Sequence, residues 1–163
     1  MSHALALRER ILKSSGCTFD AVITADYGDK IHTFTMSCRA DTSGEVSFVV
    51  TDPASISGIS GSVSEKGGRL SFDDTVLAFQ LLADEQLSPV SAPWIFLHTL
   101  RSGYFNACGT DGTGLRIEVD DSYAGEALHL SIWTDANDLP IRAEILWQGR
   151  RILSIDVVAF AYL

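Results

Sequence analysis

From Ala4 to Leu12 the apolar residues recur at the helical period. Ala4, Leu7 and Ile11 form one stripe with Leu5 and Leu12 beside it, while Arg8, Glu9, Arg10 and Lys13 take the other side. Ser14-Ser15-Gly16 ends the pattern, which predicts an amphipathic opening helix docked on a sheet, in preference to a helix lying on a membrane surface. The period then changes to two. Phe19, Ala21, Ile23, Ala25 and Tyr27 alternate with polar neighbours, and after Gly28-Asp29 so do His32, Phe34, Met36 and Cys38. A two-residue loop at Gly28-Asp29 places Tyr27 opposite Lys30, Ile23 opposite Phe34, Ala21 opposite Met36 and Phe19 opposite Cys38, so both apolar faces coincide.

The same alternation runs through Val46, Phe48 and Val50. It continues in a Gly- and Ser-rich strand around Ile59 to Val63, and through a Gly67-Gly68 turn into Leu70 and Phe72. Val76 to Leu82 reads as a further short strand, and Asp52-Pro53 marks a break because proline lacks the donor that a central strand needs. Between Ser88 and Gly103 the strands give way to a helix that starts near Pro89 and Pro93. It carries Trp94, Ile95, Phe96, Leu97 and Leu100 on a surface so wide that most of its sides must be covered. Strand patterns return at Tyr104 to Thr110, Leu115 to Asp120, Leu128 to Ile132, Leu139 to Trp147 and Arg151 to Tyr162. A three-residue loop Gln148-Gly149-Arg150 sets Ile145 against Leu153, Ile141 against Val157, and Arg142 against Asp156 as a cross-strand ion pair.

The result is a mainly β chain with two helical segments and about ten strands joined by tight turns. These form a curved antiparallel sheet, an open half-barrel, closed on its concave side by the helices. With 163 residues there is room for one such domain, 1–163. No apolar run approaches the roughly 18 to 20 residues of a transmembrane helix. The formal charge of −9 and the scattered Lys and Arg argue against nucleic acid, whose binding draws on clustered cations.

Chemistry-bearing patterns are sparse. Gly109-Thr-Asp-Gly-Thr-Gly114 lacks the lysine and the following helix of a phosphate loop and reads as a hairpin turn. His3, His32, His98 and His129 show no zinc spacing, and His98, beside Trp94 on the apolar helix, reads as a structural histidine. Asp73-Asp74 and Asp120-Asp121 are adjacent carboxylates at strand ends, where turn formation accounts for them, since neighbours on a strand point to opposite faces. Cys17, Cys38 and Cys108 read as small apolar residues. Catalytic residues, metal ligands and cofactors are therefore not expected.

An amphipathic opening helix, Phe-rich hairpins, and a mid-chain helix after Pro89 and Pro93 precede the closing stretch from Ile132-Trp133 through Leu139-Pro140-Ile141 to Ile145, followed by Gly149 and a long apolar strand. This series resembles the LolA/LolB-like lipoprotein-carrier superfamily, and within it small Gram-positive lipoproteins, including those tied to spore germination. The resemblance spans almost the whole chain; Val50-Thr-Asp-Pro53 before Gly58 and Gly61 is a further match. Two positions depart from it: Arg39 is followed by Ala40 where carriers have an Arg-Pro pair, and no lipid-attachment cysteine lies in a leader. The resemblance implies a non-enzymatic extracytoplasmic module, anchored through a leader absent from this chain; without any leader the expectation is cytoplasmic. Such a module binds an acyl chain, another apolar ligand or a partner lipoprotein in a hydrophobic cavity. Phe34, Met36, Phe48, Trp94, Phe96 and Leu97 are the expected cavity and plug residues. The alternative is a structural accessory protein of the envelope or spore whose filled core takes no ligand, the same side chains being retained for burial alone.

Overall fold

The structure, a computed structural model, describes residues 1–66, 69–72, 82–83, 87–123 and 126–163. The opening helix α1 covers Ser2–Lys13 and buries Ala4, Leu7 and Ile11, the stripe its periodicity marks. β1 (Cys17–Asp26) and β2 (Ile31–Ala40) pair in the expected register, with Phe19 opposite Cys38, Ala21 opposite Met36 and Ile23 opposite Phe34. The Tyr27 N–H donates to the Lys30 carbonyl at 2.9 Å across the loop.

β3 (Val46–Asp52) ends at a cis Asp52–Pro53 peptide, and β4 (Ser60–Lys66) and β5 (Arg69–Phe72) follow. A 3-10 turn at Pro89–Ser91 leads into α2 (Ala92–Ser102), which buries Trp94, Ile95, Phe96, Leu97 and Leu100. The chain closes with β6 (Tyr104–Asp111), β7 (Gly114–Tyr123), β8 (Glu126–Thr134), β9 (Pro140–Trp147) and β10 (Arg150–Tyr162). Among the described residues these strands make one open antiparallel sheet of ten in the order β5-β4-β3-β2-β1-β10-β9-β8-β7-β6.

Alternation sorts the side chains. One face of the sheet carries Phe19, Ala21, Ile23, Phe34, Met36, Phe48, Ile117, Leu130, Ile145 and Ile155 into a single buried cluster with the inner stripes of α1 and α2. The rings of Phe19 and Phe96 meet edge to face at 6.1 Å, joining β1 to α2. Full burial of one such side chain contributes roughly 1.5–3 kcal/mol, so this cluster is the main source of stability. The two helices are pinned to each other through Arg8. Its guanidinium donates to the carbonyls of Leu100 (2.6 Å), Gly103 (2.5 Å) and Thr99 (3.2 Å) at the end of α2 and lies 3.8 Å over the Phe105 ring.

Two readings are corrected. The β9–β10 loop is a two-residue turn, Gln148-Gly149, with Trp147 opposite Arg150; both turn residues have positive φ (51° and 77°), as a type I′ hairpin requires. Ile145 still faces Leu153, and Arg142 still faces Asp156, because an irregularity between Arg151 and Leu153 absorbs the extra residue. Asp120-Asp121 lies inside β7 and makes no turn. Gly67-Gly68, Asp73-Asp74 and all of Val76 to Leu82 except Leu82 itself fall outside the described residues.

Candidate functional site

The six side chains expected to line or plug a cavity lie in the one buried cluster: Met36 and Phe96 at 0% exposure, Phe48 at 2%, and Phe34, Trp94 and Leu97 at 3%. Phe34, Met36 and Phe48 come from β2 and β3, and Trp94, Phe96 and Leu97 from α2.

Hollows flank this packing, and two of them are large. The larger, about 510 Å³, is a cleft between Leu12 of α1, Trp94, His98 and Arg101 of α2, the β2–β3 turn at Ser43–Glu45, and Ser64 and Glu65 of β4. Trp94 therefore has its ring in the core and its border on the cleft. The other, about 440 Å³, lies over β1 to β3 and is walled by Asp20, Arg39, Phe48 and Val49.

The cleft owes its shape to the β2–β3 turn. Asp41 Oδ1 accepts from the Ser43 N–H (2.9 Å), the Ser43 hydroxyl (2.6 Å) and the Glu45 N–H (3.2 Å), which folds the turn on itself. These bonds hold the Asp41 carboxyl below the usual carboxylate range. Gly44 sits at φ +89°, and a Cβ there would collide with the Arg101 guanidinium, whose Nη2 donates to the Thr42 carbonyl at 3.1 Å. On the opposite wall the His98 ring stacks on Trp94 at 4.6 Å, and its Nε2 lies 3.0 Å from Ser102 Oγ and 3.9 Å from Asp121 Oδ2. His98 is thus held by Trp94, Ser102 and Asp121.

A second polar grouping went unread in the sequence. On the face of the sheet away from the core, His129 of β8 lies opposite Asp120 of β7, with Nδ1 2.8 Å from Asp120 Oδ1 and Nε2 2.6 Å from Glu118 Oε2. Ser131 Oγ donates to the same Glu118 oxygen at 2.7 Å, Arg116 Nε to the other at 2.6 Å, and Asn106 of β6 to Asp120. Burial alone would lower the His129 pKa, but the hydrogen bonds and charges of Asp120 and Glu118 outweigh it and raise it. Asn106 and then His129 draw Asp120 down. Glu118 also ends below its ordinary value, because its bonds to Ser131, His129 and Arg116 outweigh its desolvation.

Both ring nitrogens of His129 are taken up by carboxylates, and the Ser131 proton goes to a carboxylate. The grouping is therefore a charge staple across β6, β7 and β8 and lacks a nucleophile–base pair. The signal that would have found it is the spacing of two on each strand, Glu118/Asp120 against His129/Ser131, once the hairpin register is known. His32 lies elsewhere, edge-on to Tyr27 at 5.7 Å. Among the described residues no group of three or more His, Cys, Asp or Glu is placed to hold a metal ion, and no helix is long and apolar enough to cross a membrane.

No family model matches the chain, and no curated protein matches it. Solved structures do. An uncharacterized conserved protein from Thermus thermophilus is 14% identical over 99% of this chain and 86% of its own, with a TM-score of 0.50. A DUF1329 family protein from Desulfovibrio piger is 13% identical over 99% and 90%, also with a TM-score of 0.50. At these identities the likeness is one of fold. Similar structures also include a LolA superfamily protein from Nitrosomonas europaea, 12% identical over 96% of this chain and 92% of that one, with a TM-score of 0.45.

Proposed function

We propose that the chain is a LolA-like, non-enzymatic extracytoplasmic module that takes an acyl chain, another apolar ligand or a partner lipoprotein between its helices and its sheet. The observation that carries this reading is the cleft of about 510 Å³, where the helix layer stands off the β2–β3 turn and β4 and leaves an opening that reaches buried Trp94. Phe34, Met36, Phe48, Phe96 and Leu97, buried in the same cluster as Trp94, are in this reading the apolar interior a chain would enter, and the open sheet is the half-barrel that holds it. Anchoring through a lipidated leader, and kinship with small Gram-positive lipoproteins of the germination type, rest on the sequence resemblance and belong to the same proposal.

A second reading has its own support. The six interior side chains are at most 3% exposed, as in a filled core, which favours an envelope or spore accessory protein that binds a partner through its surface. Displacement of a fluorescent fatty acid separates the two. Saturable binding, abolished when Trp94 is replaced by a polar side chain in a folded variant, is expected from the first; no binding by folded protein sinks it.

A further inference from the structure

The cleft shares two wall residues, Arg101 and Gly44, with a smaller chamber of about 20 Å³ between Ile11 of α1, Leu97 of α2, Cys17 of β1 and Tyr162 of β10. Arg101 is the partition. Its guanidinium fills the space a Gly44 side chain would take and, among the described residues, is held by the Thr42 carbonyl, a bond of 3.1 Å near the surface. Behind it, the Tyr162 hydroxyl is the one buried side-chain polar atom among the described residues without a hydrogen-bond partner. Native proteins rarely keep such a group unpaired.

Three side chains of the chamber wall, Arg101, Tyr162 and Cys17, can donate. Burial pushes the Tyr162 phenol up, so it keeps its proton, and burial pushes the Cys17 thiol up to about 11 against the opposing pull of the Arg101 charge. The one acid in that wall, Asp41, has its Oδ1 committed to its own turn. A guanidinium, a phenol and a thiol facing one apolar-lined space match an anionic acceptor at the end of an apolar body.

We propose that Arg101 and Tyr162 form a carboxylate clamp. Arg101 swings off Thr42, and its guanidinium together with the Tyr162 hydroxyl grips the carboxylate of a long-chain fatty acid, whose tail runs past Leu97 and Ile11 toward Leu12 and Trp94. This rests on the apolar-ligand reading above and adds to it the headgroup and the direction in which the chain lies.

The test is competition against bound parinaric acid by palmitic acid and by hexadecanol, which differ only in the headgroup. A charge-assisted clamp makes palmitate the better competitor by about tenfold or more. Tyr162→Phe, which removes no hydrogen bond made among the described residues, brings palmitate toward hexadecanol while hexadecanol is unchanged; Arg101→Met does the same. Equal competition by the two, or a Tyr162→Phe protein indistinguishable from wild type because an ordered water satisfies the hydroxyl, overturns the clamp and leaves the apolar-ligand reading standing. If folded protein binds no parinaric acid, that reading fails and the clamp fails with it.

Discussion

Replacing Arg8 by alanine removes the donors that tie α1 to the end of α2. The last carbonyls of a helix have no partner within it. Here Leu100 O and Gly103 O, just beyond the helix, take Arg8 at 2.6 and 2.5 Å, while Thr99 O is also served by the Gly103 N–H at 2.8 Å. Two carbonyls are thus left without a donor among the described residues. A hydrogen bond from a charged group is worth about 1.5 kcal/mol at the low end of its range, which suits this partly exposed position. The guanidinium over Phe105 adds about 0.5 kcal/mol. Water satisfies part of what is lost, so Arg8→Ala should destabilise the fold by about 2–3 kcal/mol. Arg8→Lys should recover less than half of that, because one ammonium cannot span both carbonyls. Arg10, one turn face away and 4.4 Å over the Tyr162 ring, is the control; its alanine variant should lose less than about 1 kcal/mol. Urea denaturation followed by tryptophan fluorescence measures all three. An Arg8→Ala loss under about 0.5 kcal/mol, or one no larger than that of Arg10→Ala, would refute the clamp between the helices.

Three further outcomes follow from particular contacts. His129 has a raised pKa, so its contribution to stability is complete below the unfolded value of about 6.5 and fades as pH rises through the folded value; Glu118 and Asp120, both lowered, contribute above the ordinary carboxylate range and lose that contribution as pH falls. An NMR titration should place the His129 midpoint above 6.5, and His129→Asn should flatten the stability profile on the alkaline side; a midpoint at or below 6.5 contradicts the staple. Buried Cys17 and Cys38, both with thiols pushed up by desolvation, should react slowly with a disulfide reagent in the native protein while half-buried Cys108 reacts first, and rapid loss of more than one thiol would count against their burial. A Cβ at Gly114 would run into the Thr134 carbonyl, whereas at Gly109 it meets open space, so Gly114→Ala should cost about 1–3 kcal/mol and Gly109→Ala should be tolerated; equal thermal melts would refute that close approach.

The local architecture was legible where burial and turn chemistry agree. Phe19, Ala21 and Ile23 against Cys38, Met36 and Phe34 could be paired from alternation alone, because a slip of one residue would turn every one of them to water. The β9–β10 register was legible for a different reason than the one that holds it: an expected three-residue loop and the observed two-residue turn with a bulge place Ile145 and Leu153 alike. What could not be read were groupings made by pairing between elements. His129 meets Glu118 and Asp120 only once β7 and β8 are in register, and Asp120 looked like a turn residue because its neighbour Asp121 broke the alternation. Arg8 read as the solvent side of an amphipathic helix, since nothing local announces that the end of α2, far along the chain, needs a donor there. The hollows are the extreme case. Their walls combine α1, α2, a β turn and strand ends, and no periodicity reports the space left between elements.

The central claim is that the opening beside Trp94 admits an apolar chain. Native mass spectrometry of the protein purified from its own host, paired with solvent extraction of the same folded sample, tests it most directly. The account predicts a retained acyl-bearing species near one per chain, released on unfolding. A folded protein that carries no lipid, and that takes up none when fatty acid is added, would contradict it.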